Sequence, residues 1–385
     1  MRKITADYIY PGNLPPLKGG TLSVDDDGTI ISLSDKTEEN AEYFSGIICP
    51  GFVNAHCHTE LSYAKNRIAQ KRGIDNFIHD LEFLKHSVSD DEKLKAVEEA
   101  FVEMNKNGIV AVGDIMNTTL SLEAKKHSDI ACYNFIEVYG SQAKDTEGKW
   151  SKALGLSSIV EGKKNIIPHA PYSLSRTLFQ RIRDYQKPDG TLSIHHIESE
   201  GEADFFLSGS GPLAERFKSW GLQLPPYIPT GKRPLASVGE FIKTANRLLL
   251  IHNTFINQQD IDFAKQNFVN TFYGLCPIAN QYIEGNLPPL DLLKDQGLNI
   301  CLGTDSLASN HQLSILEEMK TLAANFDVAL EQLIRWATYN GACALGMDDK
   351  LGSFEKGKKA GVILLQNKTK GERFDLKLAE LTVLF

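Results

Sequence analysis

Much that would announce a function is missing from this 385-residue chain. No apolar run approaches the ~20 residues that a membrane helix requires, so no membrane partner is expected. The N-terminus, MRKITADYIYPGN, carries positive charge with no apolar core behind it, so it does not read as a secretory leader. A basic surplus is lacking too: 41 Lys and Arg stand against 49 Asp and Glu, a net charge of −8, and the pI lies near 5.7. Nucleic acid is thereby disfavoured as a partner, because phosphate binding needs a clustered basic surface. The short run Lys356-Gly357-Lys358-Lys359 reads as a solvated turn. Cysteines number only six, at 49, 57, 132, 276, 301 and 343. They are too scattered for the disulfide framework of a small secreted chain and are expected to be reduced, buried thiols in a cytoplasmic protein. No GxGxxG or phosphate-cradling glycine loop follows any strand-like segment, which weakens the alternative of an open, doubly wound sheet.

What is present is an alternation. Apolar content of 42% and charged content of 23% suit an ordinary globular chain. Strand-like stretches fall at 47–56, 108–115, 132–140, 165–171, 192–198, 247–254, 269–276 and 298–304. Helical patterns lie between them. DDEKLKAVEEAFVEMNKNG offers Asp90 or Asp91 as cap and Gly108 as stop, and SRTLFQRIRDYQK opens at Ser175. Eight such β/α units predict an α/β fold, a (β/α)8 TIM barrel, which takes about 250 residues. Both ends of the chain read as short strands and turns, with a hairpin signature in TLSVDDDGTIISLSD. Segment 200–246 is long for one crossover and is expected to overhang the barrel mouth.

Five strand ends carry reactive side chains: His56-Cys57-His58, His169, His195-His196-Ile197-Glu198, His252 and Asp305. Barrel active sites are assembled at that face from strand ends far apart in sequence. His56 and His58 are two apart and point the same way, a bidentate metal grip; Cys57 should point away. Imidazoles with one carboxylate suit Zn²⁺, or another borderline metal such as Fe²⁺. Only one of His195 and His196 can face the lumen, and alternation alone does not choose, since His196 would share a face with Glu198. Glu198 can shuttle a proton, whereas Glu200 and Glu202 read as solvated members of an acidic run. His252 ends a buried strand and could be a satisfied core histidine. Asp305 could cap the next helix or bind metal and accept a proton.

The pieces PGFVNAHCHTELS, PHAPYSLS, IHHIESEGE, LLLIHN, LCPIANQYI, LGTDSLASN and LGSFEKGKKA, spanning residues 49 to 361, resemble the amidohydrolase superfamily, in its mononuclear metal-dependent deaminase branch. The resemblance implies a barrel over 50–345 and a small flanking β-sandwich from 1–49 and 346–385. It implies His56, His58, His195 and Asp305 as ligands of one divalent ion, Zn²⁺ first and Fe²⁺ second. Glu198, His252 and Asp305 become the catalytic groups, and His169 and Ser309 the substrate contacts. Pro168-His169-Ala170 stands where two-metal members carry a bridging lysine, which disfavours a dihydroorotase-type hydrolase. Gly361 departs from a usual aspartate, in the sandwich.

The wording ESEGE…LSGSGPLAERFKSWG is most similar to 6-amino-6-deoxyfutalosine and adenosine-type nucleoside deaminases. The implied reaction is hydrolysis of the exocyclic amine of a purine-like ring, a small-molecule substrate, by a chain that could form a homodimer. Rival readings are guanine, cytosine-like or chlorotriazine substrates, a one-metal cyclic-amide hydrolase of the imidazolonepropionase kind, and a catalytically silent relative. An anionic substituent would call for a basic residue at the mouth, with Arg67, Lys71, Arg72, Arg176 and Lys232 as candidates by loop position.

Overall fold

The computed structural model describes residues 1–243, 246–367 and 374–385. Residues 244–245, in the expected overhanging segment, and 368–373, in the strand-rich tail, lie outside the described residues. Seven strands from the two chain ends form one mixed sheet: β1 (Arg2–Ile9), β2 (Leu17–Lys18), β3 (Thr21–Val24), β4 (Ile30–Ser34), β5 (Glu42–Pro50), β14 (Val362–Asn367) and β15 (Ala379–Val383). The DG turn closes the β3–β4 hairpin as its residues require, with Gly28 at φ 84° and its N–H on Asp25 O at 3.0 Å.

Eight further strands form two four-stranded parallel sheets. One runs β6 (Phe52–Cys57), β7 (Ile109–Met116), β8 (Ala131–Val138), β9 (Lys163–Pro168). The other runs β10 (Thr191–His196), β11 (Arg247–His252), β12 (Thr271–Leu275), β13 (Asn299–Leu302). Their edges meet twice. His195 N donates to His169 O at 2.9 Å beyond β9, and Thr304 N donates to His56 O at 3.1 Å beyond β13. On one face the strands carry Leu192, Ile194, Leu248, Leu250 and Leu302 against helix residues such as Phe101, Phe179 and Ile261. On the other, Ala55, Phe135, Ile167, Leu249, Ile251 and Cys301 pack on one another and on Leu345.

Two boundaries differ from the sequence reading. The apolar stretch 47–56 is not one strand: β5 ends at Pro50 in the mixed sheet and β6 begins at Phe52 in a parallel one. Gly51 makes the break, because a Cβ there would meet Val110 Cγ1 at 2.3 Å and Ala360 O at 3.0 Å. The helix over Asp90–Lys106 is capped by Ser89, not by Asp90 or Asp91; Ser89 Oγ accepts from Glu92 N at 3.3 Å. The aspartates instead sit in the first turn, where the helix dipole favours negative charge. Ser175 does cap Arg176–Tyr185. All six cysteines are free, and no described helix is long and apolar enough to cross a membrane.

The Gly51 crossing yields a test of packing. Gly51→Ala should lower stability by about 1–3 kcal/mol, the usual cost of forcing a methyl group into a filled interior. Urea unfolding followed by circular dichroism would read it as an earlier midpoint; an unmoved midpoint would mean that the two sheets can part at no cost.

Candidate active site

Alternation along a strand would send several of the reactive side chains to the wrong face. Val53 and Ala55 lie on the face shared with the opposing sheet, so His56 and His58 should lie on the other. The register of β6 against β7 slips between Asn54 and Cys57. A slip of this kind re-aims the residues that follow it. Both histidines then face the opposing sheet, and Cys57 turns into the helix-facing core. On β10, His195 and Ser193 share the inner side, while His196 lies behind with its Nδ1 on Asn253 Oδ1 at 2.9 Å. Glu198 would follow His196, but Ile197 takes φ 48° and reverses the alternation. His252 reaches the cluster the same way, at φ 71° with Asn253 at 55°, and Asp305 sits at φ 56°. Each such non-glycine residue costs on the order of 1–3 kcal/mol, and strained residues of this kind gather at functional sites.

The outcome is one buried cluster. His58 Nε2 lies 3.3 Å from His195 Nε2. Asp305 Oδ1 lies 3.6 Å from both His56 Nε2 and His58 Nε2. Hydrogen-bond partners fix the tautomers. His195 Nδ1 faces the carbonyl of His169 at 2.8 Å, an acceptor, so Nδ1 carries the proton and Nε2 offers its lone pair. His252 Nδ1 faces Asn280 Oδ1 at 2.9 Å, while Asn280 Nδ2 donates to His252 O at 3.3 Å. That leaves His252 Nε2 as an acceptor 3.5 Å from Glu198 Oε1. Burial lowers the pKa of His56, His58, His195 and His252, so all four imidazoles are neutral at pH 7. Burial would raise the pKa of Asp305, but His56 and His58, each with its Nε2 3.6 Å from Oδ1, hold it well below the usual carboxylate range.

Nitrogen atoms of neutral imidazoles and one negative charge crowd together here. Both nitrogens of His56 are buried without a hydrogen-bond partner. The ligand atoms of His56, His58 and His195, and those of His56, His252 and Asp305, lie within 4.8 Å of one another. A divalent cation is the species this arrangement fits.

The neighbours complete the picture. Asp305 Oδ2 accepts from Ser309 Oγ at 2.5 Å, which sets the serine expected on substrate beside the aspartate. The His169 ring lies 4.6 Å from that of His195, with Nδ1 3.1 Å from Ser173 Oγ. Burial lowers its pKa to about 4. Asp114 holds the turn after His58, accepting from Thr59 N and Oγ1 at 3.0 Å each and pairing with Lys125 at 2.6 Å. A Cβ at Gly303 would meet His56 O at 2.9 Å, so only glycine lets β13 come this close to β6.

Sequence reasoning missed Glu137, whose Oε1 is buried without a hydrogen bond 3.9 Å from His195 Nδ1. Burial pushes its pKa up to about 8. The signal was available: FIEVYG puts one charge at the end of an apolar strand, as RLLLIHN does. Glu202 corrects the reading as a solvated acid. It is fully buried and accepts from the backbone N–H groups of Ile197, Glu198 and Ser199; Glu200 is exposed as expected. The basic candidates turn elsewhere. Arg67 pairs with Glu92, Arg72 with Asp80 and Arg176 with Glu240, while Lys71 and Lys232 are exposed. Lys149, which was not among them, lies 4.5 Å over the ring of Tyr139, itself 6.4 Å from the His169 ring. The overhanging segment supplies Arg216, which pairs with Asp75 at 3.2 Å.

The model of the amidohydrolase family matches residues 47–383, and the chain belongs to that family. A 5'-deoxyadenosine deaminase of Methanosarcina acetivorans is 27% identical over 380 residues, 91% of this chain and 81% of its own. The crystal structure of Helicobacter pylori aminofutalosine deaminase in complex with methylthio-coformycin shares the fold, with a TM-score of 0.80 at 21% identity over 98% of this chain and 94% of that one. So does an adenosine deaminase from Xanthomonas campestris with bound zinc, with a TM-score of 0.75 at 21% identity over 97% and 87%.

Two outcomes follow from this geometry. Elemental analysis should find about one divalent ion per chain, lost in His195→Ala and retained in His196→Ala, because only His195 turns its Nε2 to the cluster; the reverse pattern would move the site to the other face. The second concerns pH. Glu137 is raised from an ordinary value near 4.5 to about 8. The folded chain therefore keeps a proton that the unfolded chain releases, and the resulting stability is whole below the lower value and lost as pH rises to the upper. The melting temperature of Glu137→Gln should fall less steeply than that of the parent between pH 5 and 8.

Proposed function

We propose that the chain is a one-metal aminohydrolase that removes the exocyclic amine of 6-aminopurine nucleosides. It is a hydrolase of C–N bonds other than peptide bonds, and its relatives named as deaminases of 5'-deoxyadenosine and adenosine share the aminopurine ring. The observation that carries the reading is the pairing of Glu198 with His252 at 3.5 Å beside the His/Asp cluster. We further propose that β6 to β13 close into a (β/α)8 barrel over 50–345. The terminal strands then form a separate β domain, for which the edge contacts of His169 with His195 and of His56 with Thr304 speak.

His56, His58, His195 and Asp305 would hold the ion, and zinc suits three imidazoles and a carboxylate with an open position. The ion supplies Lewis acidity that lets water give up a proton near neutral pH. The chain's own residues do the rest. Burial raises the pKa of Glu198 and so favours its protonated form, which can give a proton to the ring nitrogen beside the attacked carbon. Having given it, Glu198 can take a proton from water and deliver it to departing ammonia. His252, its Nδ1 proton locked on Asn280, presents Nε2 as an acceptor and orients the water with Asp305. His169, its ring 4.6 Å from that of His195, would contact the purine ring or its substituent. A bulky or anionic 5' group, as aminodeoxyfutalosine carries, is the finer expectation, with Lys149 beside Tyr139 as the basic group at hand.

Ammonia release from a panel of adenosine, 5'-deoxyadenosine, aminodeoxyfutalosine, guanine, cytosine and a chlorotriazine tests the class. Turnover should be confined to the 6-aminopurine nucleosides; a preference for any of the last three would replace the substrate while leaving the machinery. Glu198→Gln should keep its metal and lose about 10²–10⁴-fold in kcat, the range a positioned acid supplies.

A further inference from the structure

We infer that Glu202 is a positioning residue, a buried carboxylate that fixes the backbone of Ile197-Glu198-Ser199 and so aims the Glu198 side chain at the reacting ring. The inference rests on the deaminase reading for what Glu198 does, and on the structure alone for what Glu202 does to it.

Strand β10 stops at His196, and Ile197 takes φ 48°, a conformation that β-branched residues avoid. Leaving the sheet in this way strips the next N–H groups of ladder partners at a place where Ile197, Glu198 and Ser199 are all buried. Buried N–H groups need acceptors. One side chain provides them. Glu202 Oε2 accepts from Ile197 N at 3.2 Å, and Oε1 accepts from Glu198 N at 2.8 Å and Ser199 N at 3.2 Å. Glu202 stands near the start of the helix Gly201–Ser208, four residues past Glu198, so the loop is tied back to the helix that follows it.

The tie acts where direction matters. Without the left-handed turn at Ile197, Glu198 would lie on the face of His196, away from the cluster. With it, Glu198 Oε1 comes to 3.5 Å from His252 Nε2. Among the described residues no other side-chain oxygen accepts from the N–H groups of 197 to 199. Three main-chain bonds join in holding the loop, Asn253 N on His196 O and Phe255 N on Ile197 O at 3.0 Å and Glu202 N on Ser199 O at 3.3 Å, but the N–H groups of 197 to 199 rest on the Glu202 carboxyl. A neutral amide at 202 would keep the volume and one acceptor oxygen but point its N–H₂ at a backbone donor, releasing at least one of the three.

The test combines exchange with kinetics. In the parent holoenzyme, hydrogen–deuterium exchange should show the amides of 197–199 protected; in Glu202→Gln their exchange should speed at least about tenfold while metal content stays near the parent's and the melting temperature drops by no more than a few degrees. Ammonia release should lose about 10–100-fold in kcat with KM within about threefold, the size of effect that a misplaced catalytic group produces. On a Glu198→Gln background the same substitution should cost nothing further, since a residue acting through another is silent once that other is disabled. Parent-like kcat in Glu202→Gln, multiplicative loss in the double variant, or loss of bound metal together with the melting temperature would each overturn the assignment. Should Glu202→Gln prove too unstable to purify, Glu202→Asp, which keeps the carboxyl group but draws it back from the loop by one methylene, gives the same comparison; unchanged exchange at 197–199 there would also overturn it. A chain that turned over no nucleoside would defeat the deaminase reading but leave the exchange result to decide the tie itself.

Discussion

Electrostatic crowding that only a cation can relieve organises this molecule's functional end. Three neutral imidazoles and an ionised aspartate converge from β6, β10 and β13, with His58 and His195 presenting nitrogens to each other at 3.3 Å. Such a set is not stable by itself: it removes polar groups from water and gives His56 no hydrogen bond in return. The surroundings hold it in place regardless. His195 is oriented by a backbone carbonyl, Asp305 by Ser309, and β6 and β13 are joined through Asn54 and Thr304, each of whose polar groups meets the other. These contacts fix the geometry of the cluster, and a cation bound there would lend its binding free energy to the stability of the whole fold.

Strand ends are where a regular sheet gives way to chemistry, and here the change is made by reversing direction rather than by extending loops. The β6 register slip and the left-handed residues Ile197, His252 and Asp305 each turn a side chain by one face. This explains why much of the site could be read from residue types but not from alternation. His56, His58, His252 and Asp305 were legible as polar residues closing apolar runs. Choosing His195 over His196 required the family resemblance, because the backbone φ of Ile197 leaves no mark in the sequence. The same blindness hid the division of 47–56 into two strands, since a glycine between apolar residues looks alike whether the strand continues or changes sheet.

Other misreadings had a different cause. Glu202 and Glu137 looked ordinary because a carboxylate's sequence neighbours do not reveal its burial. Glu202 lies in a run with exposed Glu200, and only the helix Gly201–Ser208 turns one inward and the other out. Ser309, which entered through the site's wording, donates its hydroxyl to Asp305, a tie that residue order alone does not disclose. The α/β class was more legible than either, because repeated apolar runs alternating with helical patterns leave few arrangements that bury every strand.

Buried acids give these loops a common plan. Asp114 accepts from Thr59 N after β6, Glu60 from Asn117 N and Thr118 N after β7, Glu202 from three N–H groups after β10, and Glu318 from Ile278 N after β12. Burial raises Glu60, Glu202 and Glu318, so each is costly to place. Yet the N–H groups they meet would otherwise be buried and unpaired where the sheets end, at a loss of about 1–3 kcal/mol apiece. Water could satisfy the same donors only in loops open enough to admit it, and open loops would neither aim Glu198 nor keep His252 dry. A carboxylate with four lone-pair sites anchors two or three donors from one position. The acids near this centre therefore divide by what they face: Glu198 and Asp305 turn toward the cavity, while Asp114, Glu60, Glu202 and Glu318 turn toward the backbone that holds it.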